Sequence, residues 1–178
     1  NPERANVQLS PDGKRISWLA PKDNVMNVWV APVDKLDQAK PVTTDTKRPV
    51  RQYYWAFDGK HLLYIQDAAG DENWHIFRTT ADGGEVTDIT PYKGARAVVY
   101  NVSDKKPKTL VIGINDRDPK MSDVYSLDIA TGKRTLIYEN KENMAHFSVD
   151  PNQELRLAGK LEPNGKSPST TVNAQNAV

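Results

Sequence analysis

Four aspartates, Asp12, Asp58, Asp104 and Asp150, stand 46 residues apart along this chain of 178 residues. Three aromatic residues, Trp29, Phe77 and Tyr125, keep a second spacing of 48. Between these markers lie short runs rich in Val, Ile, Tyr, Trp and Thr, broken by Asp-Gly, Gly-Gly and Thr-Gly clusters. Such punctuation is the sequence signal for consecutive hairpins. The clearest copy spans residues 53–91. It reads as strands at 53–57, 61–66, 74–79 and 86–90, with turns at 58–60 and 81–84 and a polar loop at 67–73. A single four-stranded unit cannot bury both of its faces, so it needs neighbours of the same kind. A period of roughly 40–50 residues with four strands per period predicts β-propeller blades. A β-sandwich would need all of these spacings to coincide by accident.

The fold class expected is therefore all-β, a partial β-propeller of three four-stranded blades plus half of a fourth. The blades fall at about 5–46, 49–92 and 95–140, with a partial blade at 143–162. In the third blade, residues 115–122 are expected to form a loop between its second and third strands. Residues 163–178 are polar, small and aperiodic, and are expected to be an irregular tail. Closed propellers have roughly 4–8 blades, so the segment is expected to be part of a larger propeller. Its end blades would then present unpaired edges, which favour self-association.

Composition narrows function mainly by exclusion. The 24 basic and 23 acidic residues leave a net charge of +1, which offers no reason to expect nucleic acid or an anionic membrane as partner. With no Cys, there is neither a disulfide framework nor thiolate chemistry. No apolar run approaches the roughly 20 residues that span a bilayer. The opening Asn1-Pro2-Glu3-Arg4 gives no expectation of a signal peptide within this sequence. The compartment stays open: cytoplasmic, or periplasmic or secreted after removal of a signal.

Catalytic machinery is not evident. Ser10, Ser17, Ser103, Ser122 and Ser126 lack the Gly-x-Ser-x-Gly context of a nucleophile elbow. His61, His75 and His146 fall in separate strands with no carboxylate partner suggested. Gly165-Lys166-Ser167 lacks the glycine spacing and strand–helix setting of a phosphate loop. Asn101-Val102-Ser103 matches a glycosylation sequon at a strand end, where chance suffices as explanation. The acidic stretch 67–72 lacks EF-hand spacing and is expected to be solvated. No metal, cofactor or catalytic residue is expected.

The segments SPDGKRISWLA, NVWVAPVD, QDAAGDENWHIFRTTADGGEVTDITP and NDRDPKMSDVYSLDIATGK resemble the N-terminal propeller of prolyl oligopeptidase-family serine peptidases. The acylaminoacyl-peptidase and dipeptidyl-peptidase-like branch is the nearest in character. The resemblance runs from about Pro2 to Lys160, with DENWH and NDRDP as its most specific motifs. The third blade departs from it, having DKKPK where the others carry a Gly turn. The resemblance implies a propeller that caps an α/β-hydrolase domain of the same parent chain and filters peptide substrates by size. A TolB-type protein-binding propeller with no peptidase domain is the competing reading, since SPDGK turns occur there too.

Candidate site residues come from topology. In a four-stranded antiparallel blade, the loops between second and third strands share a face with the connectors between blades. That face would gather Arg51, Asp71, Glu72, Asn73 and Trp74 with Arg96, Arg117 and Asp118. First strands would bring Tyr53, Trp55 and Tyr100 near the channel. Loops on a rigid scaffold commonly carry binding residues. An Asp71–Glu72 pair would suit a peptide amino terminus through charge-assisted hydrogen bonds. Equally, the pair would order its own loop while Trp74 packs between blades.

Overall fold

The computed structural model describes residues 3–67 and 70–172. Among them are fifteen β-strands and one 3₁₀ turn, Leu36–Gln38. The chain forms two compact units, Asn1–Pro91 and Tyr92–Val178.

The first unit holds two antiparallel meanders. Strands β1 (Ala5–Leu9), β2 (Arg15–Lys22), β3 (Val25–Pro32) and β4 (Lys40–Pro41) pair in chain order. So do β5 (Gln52–Trp55), β6 (His61–Asp67), β7 (Trp74–Thr80) and β8 (Thr87–Asp88). One apolar cluster joins both sheets through Leu19, Val28 and Val30 on one side and Tyr53, Leu62 and Tyr64 on the other. Tyr53 and Trp55, expected near the channel, belong to this core. The Tyr53 hydroxyl donates to the Asn6 carbonyl at 2.6 Å and lies 2.9 Å from Ser17 Oγ. Trp55 Nε1 donates to the same Ser17 Oγ at 2.8 Å. A polar tip that finds a partner lets such a ring be buried, and Ser17 is the residue that supplies it.

The second unit holds β9 (Ala97–Val102), β10 (Thr109–Asp118), β11 (Met121–Asp128) and β12 (Arg134–Tyr138) as its four-stranded sheet. Beside it β13 (His146–Val149), β14 (Leu155–Gly159) and β15 (Ser169–Thr171) form a three-stranded sheet. Val111, Val124, Tyr138 and Leu155 form their common core. Thr109 Oγ1 donates to Gln153 Oε1 at 2.6 Å, and Gln153 Nε2 returns a bond to the Thr109 carbonyl at 2.8 Å.

Three differences from the expected pattern have local causes. Residues 115–122 do not form a loop, because β10 and β11 continue to Asp118 and restart at Met121. Asp118 pairs with Met121, and the turn closes when Asp118 Oδ1 accepts from the Lys120 N–H at 2.9 Å. Within the stretch expected to be irregular, β15 pairs with β14. Asn164-Gly165 makes the turn, with Gly165 at φ +80° and Glu162 N–H donating to the Lys166 carbonyl at 2.9 Å. Asn-Gly is a hairpin signal, here hidden by polar flanks. Finally, the aspartates are not structurally equivalent. The first-turn acceptor carbonyl belongs to Ser10, Ser103 and Asp150, each taking the N–H three residues on. Asp150 thus occupies the place of Ser10, not that of Asp12, and Gln153 takes the left-handed conformation that Gly13 has in the first turn.

Candidate functional site

The ends of the blades that carry the connectors are built from buried carboxylates clamped by arginine. In the first unit, Asp67 closes β6 and its side chain is only 2% exposed. Arg48, in the connector from the first sheet to the second, reaches it from two nitrogens: Nε to Oδ1 at 2.9 Å, and Nη2 to Oδ1 and Oδ2 at 2.7 and 2.8 Å. Burial alone would raise the Asp67 pKa, but the Arg48 guanidinium and the Glu72 N–H bring it below the ordinary carboxylate value. Fork-to-carboxylate geometry of this kind is the strong form of ion pair. The acidic stretch expected to be solvated therefore has a buried, paired residue at its head.

Beyond Asp67 the candidate residues arrange themselves locally. Asp71 accepts from Asn73 twice, from its N–H and from Nδ2, both at 3.1 Å. Glu72 takes φ +59°, a conformation uncommon outside glycine. Asp71 and Glu72 are both exposed. The Arg51 guanidinium lies over the Trp74 ring, 5.6 Å from its centroid. Arg51, Asp71, Glu72, Asn73 and Trp74 thus share one end of the second sheet.

In the second unit Arg117 and Asp118 lie on the β10 extension. Arg117 clamps Asp123, whose side chain is 1% exposed, by two 2.7 Å bonds and donates a third to the Asn140 carbonyl at 2.9 Å. The Asn140 N–H donates to Asp123 in turn, at 2.8 Å. Burial would raise Asp123; the bonds from Arg117 and Asn140 outweigh it and hold the carboxyl low. The Asp123 hydrogen bonds push Arg117 in the opposite direction, upward. Arg117 is thereby committed to holding the connector onto the hairpin. Arg96 precedes β9, and its backbone N–H donates to Asn115 Oδ1 at 2.5 Å.

Two of the histidines do have carboxylate partners. His61 Nδ1 is 2.5 Å from Asp58 Oδ2, within the first turn of the second blade, and His75 Nδ1 is 2.7 Å from Asp88 Oδ2 across β7 and β8. The His75 partner was hidden because cross-strand neighbours are set by register, not by sequence distance; the His61 partner is local, three residues back in the same turn. Among the described residues no group of three or more His, Cys, Asp or Glu is placed to hold a metal ion. Sequence reasoning also missed Asn140. Its amide accepts from the Met144 N–H at 2.9 Å and donates to the Ser122 and Met144 carbonyls at 3.2 and 2.9 Å. No periodic signal marks such a residue.

The strand order, the repeated turns and the connector clamps define the chain as a β-propeller segment. No family model matches it. It is 44% identical over 165 residues to dipeptidyl aminopeptidase BIII of Pseudoxanthomonas mexicana, covering 93% of this chain and 24% of that protein. Dipeptidyl peptidase family member 6 of Caenorhabditis elegans is 28% identical over 176 residues, covering 93% of this chain and 23% of that protein. The resemblance of this propeller segment to prolyl oligopeptidase-family peptidases is thus borne out, and the chain spans about a quarter of the length of these curated relatives. Solved structures share the fold. The β-propeller domain of the trilobed protease from Pyrococcus furiosus has a TM-score of 0.61 at 16% identity, over 93% of this chain and 51% of that one. TolB from Acinetobacter baumannii has a TM-score of 0.63 at 12% identity, over 98% and 42%.

Proposed function

We propose that this chain is the non-catalytic propeller of a serine peptidase, capping an α/β-hydrolase domain of the same polypeptide and gating peptide substrates. The observation that carries the reading is the 44% identity over 93% of the chain to a dipeptidyl aminopeptidase. The likeness to TolB is in fold alone, at 12% identity, and supports no function. The chemistry would then belong to the hydrolase domain, since no serine here sits in a nucleophile elbow. The exposed Asp71 and Glu72 and the Arg51–Trp74 pair at one end of the second sheet are proposed to face substrate or the hydrolase domain.

The test is the parent reading frame and its activity. A Gly-x-Ser-x-Gly elbow downstream is expected. In the parent enzyme, replacing this segment by a short linker should admit longer peptides while a dipeptide anilide is still cleaved. A parent without an elbow, or with unchanged size selectivity, would overturn the reading.

A further inference from the structure

An open cavity of about 480 Å³ lies in the second unit, lined by β9, β13 and the β10–β11 hairpin. Its wall carries Arg96, Lys120 and His146, and no carboxylate. Arg15, Arg48, Arg117, Arg134 and Arg156 each pair with an acid, and so leave no net charge behind. The Arg96 guanidinium and the Lys120 ammonium make no ion pair among the described residues, and both are exposed. The remaining wall is mixed, with polar Asn115 and Ser122 beside apolar and aromatic Val98, Tyr100 and Phe147.

The cavity is built on fixed backbone. The Arg96 N–H bond to Asn115 is continued by Asn115 Nδ2, which donates to the Pro119 carbonyl at 2.9 Å. The strand-leading connector and the hairpin tip are thus tied together, with one cation on each. Tyr100 sits at the β9 bulge, where the register to β10 slips between Val111 and Ile112. Its ring crosses Gly113, and a Cβ there would lie 2.7 Å from two of its ring carbons. Phe147 packs against it with centroids 5.5 Å apart. A bulge that re-aims one side chain is a known device near binding sites.

We infer that this cavity binds a carboxylate attached to an apolar body, namely a peptide carboxylate, with Arg96 and Lys120 holding the charge and Tyr100 and Phe147 the adjoining side chain. Pockets for small ligands span roughly 300–1,000 Å³ and combine apolar walls with a few placed polar groups. Cations without an acidic partner favour a charged acceptor over a neutral one. The choice of a peptide as ligand rests on the gating reading above. The two fail separately, because the titration below needs no hydrolase domain and the size-selectivity test needs no carboxylate.

The experiment is an NMR titration of the 178-residue chain with N-acetyl-Ala-Phe, its carboxamide, and N-acetyl-Glu-Phe-amide. Saturable shifts are expected at Arg96, Lys120, His146 and their neighbours with N-acetyl-Ala-Phe, weakening at least about tenfold for its carboxamide. Arg96→Gln and Lys120→Gln should each weaken binding by about tenfold, and added salt should weaken it further. Lys105→Gln, outside the cavity, should change nothing. Binding of the glutamyl amide as well would extend the site to side-chain carboxylates, whereas its failure would restrict it to a free C-terminus; both support the proposal. Equal binding of acid and carboxamide would overturn it. So would absence of saturable shifts, unchanged affinity in both cavity variants with native spectra, or equal weakening by Lys105→Gln.

Discussion

Single residues set the turns and clamps that the sheets depend on. Asp12 and Asp58 each accept backbone N–H groups of their own turns, Asp12 from Lys14 at 3.1 Å and Asp58 from Lys60 and His61 at 3.0 Å. In the third blade Ser103 does this instead, accepting from the Lys105 N–H at 3.2 Å. Asp and Ser side chains both serve as local acceptors in tight turns; the third turn does without a glycine because no residue in it takes the positive φ that Gly13 and Gly59 supply in the first two. Gly113 is constrained for another reason: Tyr100 fills the space a side chain would take. Gly113→Ala is expected to cost about 1–3 kcal/mol through overpacking, measured by urea unfolding. The buried carboxylates Asp67 and Asp123 predict the acid response. Both have folded-state values below the ordinary one. Their contribution is fully present above the unfolded value, about pH 4, and is lost as pH falls through the folded values. The midpoint of thermal unfolding should therefore hold from pH 7 to about 5 and drop below about pH 4. Asp67→Asn and Asp123→Asn together should flatten that drop.

At the level of elements, connectors are held by polar side chains as well as by apolar packing, the latter through Val42 and Val50 in the first unit. Asn140 secures the link between β12 and β13 with bonds to Ser122 and Met144, and it is fully buried. Asn140→Ala would strand those groups and is expected to destabilise the protein by about 1–3 kcal/mol, read from the same unfolding curves. Arg117 has a comparable office at the β10–β11 hairpin, and its commitment to Asp123 removes it from the set of free binding groups. On the sheet edge, β15 covers β14, and Val172 beyond it packs on the core of the second unit. A chain ending at residue 162 would leave β14 as an exposed edge, a template for pairing with other chains. It should show concentration-dependent association by size-exclusion chromatography beyond that of the full chain.

The whole molecule is nearly neutral, at +1, yet the wall of the unit 2 cavity carries two cations and no carboxylate. Charge is thus distributed by site and not by net balance. The proposed role as a cap has a direct consequence for the isolated protein. It is expected to leave a dipeptide anilide uncleaved, with rates at the buffer background and no labelling by a serine-reactive phosphonate. Turnover that the phosphonate blocks would contradict the absence of a nucleophile elbow.

Period and alternation were enough to read an all-β repeat, because strand pairing between consecutive runs is local and turn residues mark its ends. β9 and β12 lie at 97–102 and 134–138, the bounds that the β-branched runs imply. The family resemblance was equally legible in DENWH and NDRDP. What the sequence could not decide is whatever depends on register or on contacts between distant segments. The identical spacing of Asp104 and Asp150 concealed one-residue slips, since a shift of one position moves a side chain to the other face without altering composition. The burial of Tyr53 and Trp55 turns on Ser17, which is 36 and 38 residues away. The partners of the candidate residues were hidden for the same reason. Asp71, Glu72, Asn73 and Trp74 are adjacent in sequence and stay together, but Arg117 was claimed by Asp123 and Asn140. Lys120 and His146 joined Arg96 only when β9, β13 and the hairpin were brought to one cavity. Long-range pairing is settled by the lowest free energy of the whole packed unit, and no local pattern carries that information.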